Sequence, residues 1–127
     1  MARHNVIGER GEETARKFLE HKGYRILSRN FRTRYAELDL VCESPGRDSL
    51  IFVEVRTRTG EWFGTPEDTI DVRKRRRLVR AAEAYVAFRH YTGPYRIDAV
   101  CVVFERGPGG VNDGALLRID HYENITG

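Results

Sequence analysis

Cysteine, tryptophan, methionine and proline are scarce: two, one, one and four among 127 residues. Cys42 and Cys101 show no CxxC or CxxH spacing, which argues against a zinc site. Each sits inside a β-type run and is expected to be a buried free thiol. A disulfide would need the strands to bring the two together. No apolar run approaches the ~20 residues needed to span a bilayer, so no membrane partner is expected. Met1-Ala2-Arg3-His4-Asn5 leads straight into a charged segment without an apolar signal region, and a cytoplasmic location is expected. There is no Ser-His-Asp arrangement, no nucleotide-binding glycine loop and no redox pair. His4, His21, His90 and His121 share no spacing and are assigned no catalytic role.

What is present reads as one globular domain spanning 1–127. Hydrophobic residues make up 40% and charged residues 32%, the balance of an ordinary globule large enough for its own core. The net charge of +3 is modest, but its placement is not even. Arg73-Lys74-Arg75-Arg76-Arg77 and Arg80 put six cations in eight positions. Such a run marks a phosphate-facing surface, and nucleic acid is the expected partner. A solvated helix face is the plain alternative.

The pattern predicts a helix over Val6 to Lys22, with Ile7, Ala15, Phe18 and Leu19 as its apolar stripe and Gly23 as its stop. Gly8 and Gly11 weaken its first turns by roughly 1 kcal/mol each relative to alanine, and invite close approach of a backbone or ligand. Strands are predicted over Tyr24 to Thr33, with Tyr24, Ile26 and Leu27 inward, then over Tyr35 to Glu43 and Leu50 to Thr57. Ser44 to Ser49 forms the turn between the last two. After a glycine-containing loop, Asp71 caps a second helix that runs to Tyr91 before Gly93-Pro94. Tyr95 to Phe104 and Leu116 to Tyr122 are strands, flanking a glycine-rich loop over Arg106 to Gly114. The order α-β-β-β-α-β-β predicts an α/β fold with a mixed central sheet flanked by helices.

The chemistry is expected on the hairpin of the second and third strands. With the turn centred between Gly46 and Arg47, Asp39 falls opposite Glu54 and Glu37 opposite Arg56. One face then carries Glu37, Asp39, Glu54 and Arg56, and the other Leu38, Leu40, Cys42, Ile51, Val53 and Val55. Opposed carboxylates repel, and a divalent cation between them removes that penalty. Magnesium takes a few carboxylate oxygens together with waters and a phosphate oxygen, and it can activate a water toward a phosphodiester. A cross-strand Glu37–Arg56 salt bridge, with Asp39 and Glu54 at a wet edge, is the alternative, and a register slip of one residue breaks the arrangement.

Asp39 followed by Glu54-Val55-Arg56 resembles the D…(D/E)-x-K signature of restriction-endonuclease-like nucleases, the PD-(D/E)XK group. Most of the chain resembles the YraN-type uncharacterised bacterial family (UPF0102). The matching pieces are Gly11-Glu12, Gly23-Tyr24-Arg25-Ile26-Leu27, Asn30-Phe31-Arg32, Ala36-Glu37-Leu38-Asp39, Phe52-Val53-Glu54-Val55-Arg56, Phe63-Gly64, Lys74 and Arg96-Ile97-Asp98. The resemblance implies a fold like that of Holliday-junction resolvases. It also implies a magnesium or manganese site using Asp39 and Glu54, with Glu12 as a third carboxylate. Ala36 stands where the family usually has glycine, and Arg56 where the nuclease signature has lysine. Arginine stays charged, so it can stabilise phosphate charge but not deprotonate water. Lys74, on the same helical face as Ala81 and Tyr85, is a candidate replacement amine, against an exposed lysine in a basic run.

The resulting expectation is a magnesium-dependent endonuclease-like protein acting on structured or branched DNA. Asp39, Glu54 and Glu12 would hold metal, Arg56 would meet the phosphate, and Glu37 would orient Arg56 or a water. Arg73, Lys74, Arg75, Arg76, Arg77 and Arg80 would grip the backbone, and a homodimer would serve two-strand cutting. The competing readings are a non-catalytic nucleic-acid-binding module and a scaffold that docks partners through the Trp62 loop. Trp62 and Phe63 are read as core anchors or a dimer contact in preference to base-stacking groups, and Asp98 as a structural partner of an arginine.

Overall fold

In the computed structural model, residues 6–62, 64–107 and 114–127 are described. The elements are α1 (Val6–His21), β1 (Arg25–Arg32), β2 (Glu37–Glu43), β3 (Leu50–Thr59), a short 3-10 helix (Pro66–Thr69), α2 (Val72–Phe88), β4 (Tyr95–Phe104) and β5 (Leu116–Tyr122). The five strands lie in sequence order in one sheet. Only β3 and β4 run parallel, because α2 carries the chain back between them; the other neighbours are antiparallel. The expected mixed sheet flanked by helices is therefore present.

Alternation along β3 sends its side chains to opposite faces. Ile51, Val53 and Val55 pack with Ala15 and Leu19 of α1 and with Val100, Val102 and Phe104 of β4. Leu50 and Phe52 pack with Leu78, Ala81, Ala82 and Tyr85 of α2. The helices thus cover opposite faces, and the central strands are buried on both.

Several details differ from expectation. Leu27 is 42% exposed, since β1 bulges between Ile26 and Ser28 and leaves it outside the ladder. Leu38 packs on the α2 side with Val41, while Leu40 and Cys42 face α1, so strict alternation fails at Asp39. Across from it, Asn30 takes a left-handed φ of 53° between Arg29 and Phe31, and Phe31 turns to the α2 side with Leu38. The helix α2 ends at Phe88, before Gly93-Pro94, because His90 adopts a φ of 54°. Both cysteines are buried and free, so no disulfide forms. The first five residues, Phe63 and most of the glycine-rich loop fall outside the described residues.

Candidate functional site

The β2–β3 ladder pairs Glu43 with Leu50, Cys42 with Ile51, Val41 with Phe52 and Leu40 with Val53. This is the register expected from the sequence, but it goes no further. Beyond Val53, β3 continues against β4 alone, and the Val55 N–H donates to Asp39 Oδ2 at 2.8 Å. A side chain has replaced a strand carbonyl as acceptor, and the hairpin opens into a fork. The expected cross-strand pairing of Glu37 with Arg56 is absent for that reason.

A cleft of about 450 Å3 occupies the fork, lined by Glu12 of α1, Glu37 and Asp39 of β2, Glu54 to Arg58 of β3, and Lys74 of α2. Gly11 sets the approach of α1. A Cβ there would lie 1.9 Å from Thr57 Oγ1, so only glycine lets the helix seat this close to β3 and deliver Glu12. On the other side, Asp71 caps α2 by accepting the Lys74 N–H at 2.8 Å, which begins the helix one turn before its core face and points Lys74 inward.

Asp39 is 8% and Glu54 4% exposed. Burial, then repulsion from Glu54, raises the Asp39 carboxyl well above its ordinary range, against the opposing Val55 N–H. Glu54 Oε2 lies 2.8 Å from Arg56 Nε and 3.6 Å from Lys74 Nζ. Arg56 Nε is buried and makes no aligned hydrogen bond, so its tie to Glu54 is charge attraction. Burial also raises Glu12, whose carboxylate accepts from Asn30 Nδ2 at 3.0 Å. Glu37 pairs with Arg32 at 3.5 Å, not with Arg56.

Asp39 and Glu54 fit a magnesium-type ion in kind: two buried oxygen donors that repel each other and open onto a cleft where waters and a phosphate can complete the shell. The three-carboxylate set is not assembled. Among the described residues no group of three or more His, Cys, Asp or Glu side chains is arranged to hold a metal. Glu12 lines the same cleft but is turned to Asn30.

The basic run divides around α2. Lys74 enters the cleft, Arg75 lines a separate hollow with Glu67 and Tyr122, and Arg73, Arg76, Arg77 and Arg80 form a stripe on another side. Trp62 is 89% exposed, which removes it as a core anchor. Asp98 is structural, as expected. Burial pushes its carboxyl up, but bonds from His121 Nε2 at 2.8 Å, Arg96 Nε at 2.9 Å and the Asn124 N–H at 2.9 Å outweigh this and hold it below its ordinary value. Asn30, part of the Asn30-Phe31-Arg32 piece, is a site residue that strand patterning does not single out. The available signal was an asparagine, the residue that best tolerates φ > 0 after glycine, inside a strand-type run.

Fold and cleft together define a mixed α/β domain with a forked hairpin, two buried carboxylates and an adjoining cationic helix. Residues 11–102 match the uncharacterised protein family UPF0102, and the chain belongs to that family. It is 45% identical over 120 residues to a UPF0102 protein of Pelotomaculum thermopropionicum, covering 94% of this chain and 93% of the relative. It is 40% identical over 121 residues to one of Bacteroides thetaiotaomicron, covering 95% and 92%. No helix among the described residues is long and apolar enough to cross a membrane.

Proposed function

We propose that this protein is a magnesium- or manganese-dependent endonuclease-like enzyme that acts on structured or branched DNA through the cleft, on a restriction-endonuclease-like core. The observation that carries the reading is the burial of Asp39 beside Glu54, with Arg56 and Lys74 both held on Glu54 Oε2. A purely structural sheet gains nothing from two such neighbours, whereas metal-assisted phosphoryl chemistry needs them.

Asp39 and Glu54 would hold the ion, which when bound polarises the phosphodiester and acidifies a water. Arg56 is fixed by Glu54 and offers its remaining donors to the phosphate. Lys74 lies close enough to Glu54 to share that charge and supplies the amine that position 56 lacks. Asn30 holds Glu12 at the rim, where it can accept a proton or a water. Burial and the neighbouring Glu54 raise the Asp39 carboxyl, so a metal competes with its proton and binding strengthens as pH rises. Cutting both strands of a branched substrate fits a homodimer.

Calorimetric titration of magnesium and manganese into wild type and Asp39→Asn/Glu54→Gln tests the site, followed by cleavage of branched DNA. The expected result is binding and cleavage in wild type and neither in the double variant. Cleavage that survives Asp39→Ala sinks the assignment. The second reading, a nucleic-acid-binding module without catalysis, is favoured by the unassembled third carboxylate and by arginine at position 56. It expects salt-sensitive binding with no cutting in either metal.

A further inference from the structure

Next to the cleft lies a groove of about 500 Å3 formed by Tyr35, Val72, Arg73, Arg76, Arg77 and Arg80. The four arginines recur at the spacing that aligns side chains on one side of a helix. Among the described residues none of them has an ion-pair partner, unlike Arg16, Arg56, Arg96 and Arg118. A row of unneutralised guanidiniums calls for anionic groups at intervals along an extended ligand.

The groove also contains an aromatic ring, that of Tyr35, which packs against the α2-side core while lining the groove. Tyr35 sits in the β1–β2 turn, and that turn is stapled. Thr33 Oγ1 donates to the Ala36 carbonyl at 2.7 Å and accepts from the Tyr35 and Ala36 N–H groups at 3.1 Å each. The ring is therefore presented in a fixed place, half-buried, with the guanidiniums of Arg34 and Arg80 at 5.3 and 5.7 Å from its centroid. Val72, 53% exposed, adds apolar surface beside it. Cations that follow a backbone, next to an aromatic face on which a base can stack, form the pattern of single-stranded nucleic-acid grooves.

The groove adjoins the cleft. Tyr35 is two residues before Glu37, and Arg73 directly precedes Lys74; Glu37 and Lys74 both line the cleft.

We infer that Tyr35 and the arginine stripe form a nucleotide subsite, taking an unpaired base on the tyrosine ring and its flanking phosphates on the arginines. This deepens the nuclease reading and rests on it in one respect: the substrate becomes one with an unpaired stretch beside the phosphate that is cut. Binding at the subsite itself needs neither metal nor cleavage.

The test is fluorescence anisotropy in EDTA with labelled oligothymidylate, an abasic oligomer of equal length and a blunt duplex. Wild type is expected to bind oligothymidylate about tenfold more tightly than the abasic strand. Tyr35→Leu erases that difference and Tyr35→Phe keeps it. Arg76→Gln/Arg77→Gln weakens both strands alike and flattens the single-strand salt slope by about 1.4. Equal wild-type affinity for the two strands overturns the subsite, as does a base preference that survives Tyr35→Leu. Base-dependent binding by a wild type that cuts nothing upholds the subsite and removes the nuclease reading. Cleavage without base-dependent binding does the reverse.

Discussion

At position 39 a carboxylate is buried beside another, and its effects on stability and on function oppose each other. Because the folded Asp39 holds its proton more tightly than the unfolded chain does, the fold loses stability as pH rises from the ordinary carboxylate range through the raised value. Asp39→Asn removes that repulsion and retains an oxygen for the Val55 N–H. It should raise metal-free stability at neutral pH by about 1 kcal/mol in urea unfolding while abolishing magnesium binding. Gly11 is the opposite case, a residue with no chemistry on which the site depends. Gly11→Ala forces α1 away from Thr57 and should cost about 2 kcal/mol, with Glu12 displaced from the cleft, as a thermal melt and a metal titration will show. The two cysteines need no functional account. Burial pushes both thiols up to about 12, and neither should react with a thiol reagent until the chain unfolds.

Among the elements, the β2–β3 hairpin and α2 make the site between them. The hairpin contributes by failing to pair to its end, and α2 by starting where Asp71 caps it. Asp71→Ala should lower stability by about 1 kcal/mol and loosen Lys74 at the first turn, weakening its hold on Glu54. Elsewhere β5 is tied to the 61–67 segment through Arg118, which donates to Glu61 at 2.7 Å and to Glu67 at 2.8 and 2.9 Å. The hydrogen bonds from Arg118 bring the Glu67 carboxyl down to about 2. Loss of the clamp in Arg118→Ala should free the adjoining loop, and the single tryptophan, Trp62, reports it as faster local depolarisation in time-resolved anisotropy.

For the whole molecule, Asp98 and Asp39 shape the pH dependence with opposite signs. Asp98 has a lowered folded pKa, so its contribution is complete above the ordinary carboxylate range and disappears as pH falls through the lowered value. Removing it in Asp98→Ala leaves Arg96 and His121 without their shared acceptor at a fully buried position, and should cost about 3 kcal/mol at neutral pH. Unfolding across a pH series should therefore fall on the acid side through Asp98 and soften toward neutrality through Asp39. Saturating magnesium should restore the neutral side in wild type alone, by roughly 2.7 kcal/mol at a hundredfold excess over Kd.

The order of elements follows from periods of two and 3.6 in the apolar residues, and the four pairs of the hairpin register from the turn centred between Gly46 and Arg47, both local properties of the chain. Asp71 as a cap follows from its residue type, and the shared place of Asp39 and Glu54 from that turn, whereas for Lys74 the sequence leaves the cleft and an exposed basic face as alternatives. Tertiary structure decided what local periodicity does not encode. The hairpin ends at Leu40 and Val53 because the Asp39 side chain outcompetes a strand carbonyl for the Val55 N–H. Arg56 turns to Glu54 and Glu37 to Arg32 once that fork opens. Leu38 changes face opposite the left-handed Asn30, and the basic run divides because a helix spreads consecutive residues around its axis. The fork and the change of face depend on segments that meet only once the sheet and helices are packed, whereas the division of the basic run is already set by the helical period.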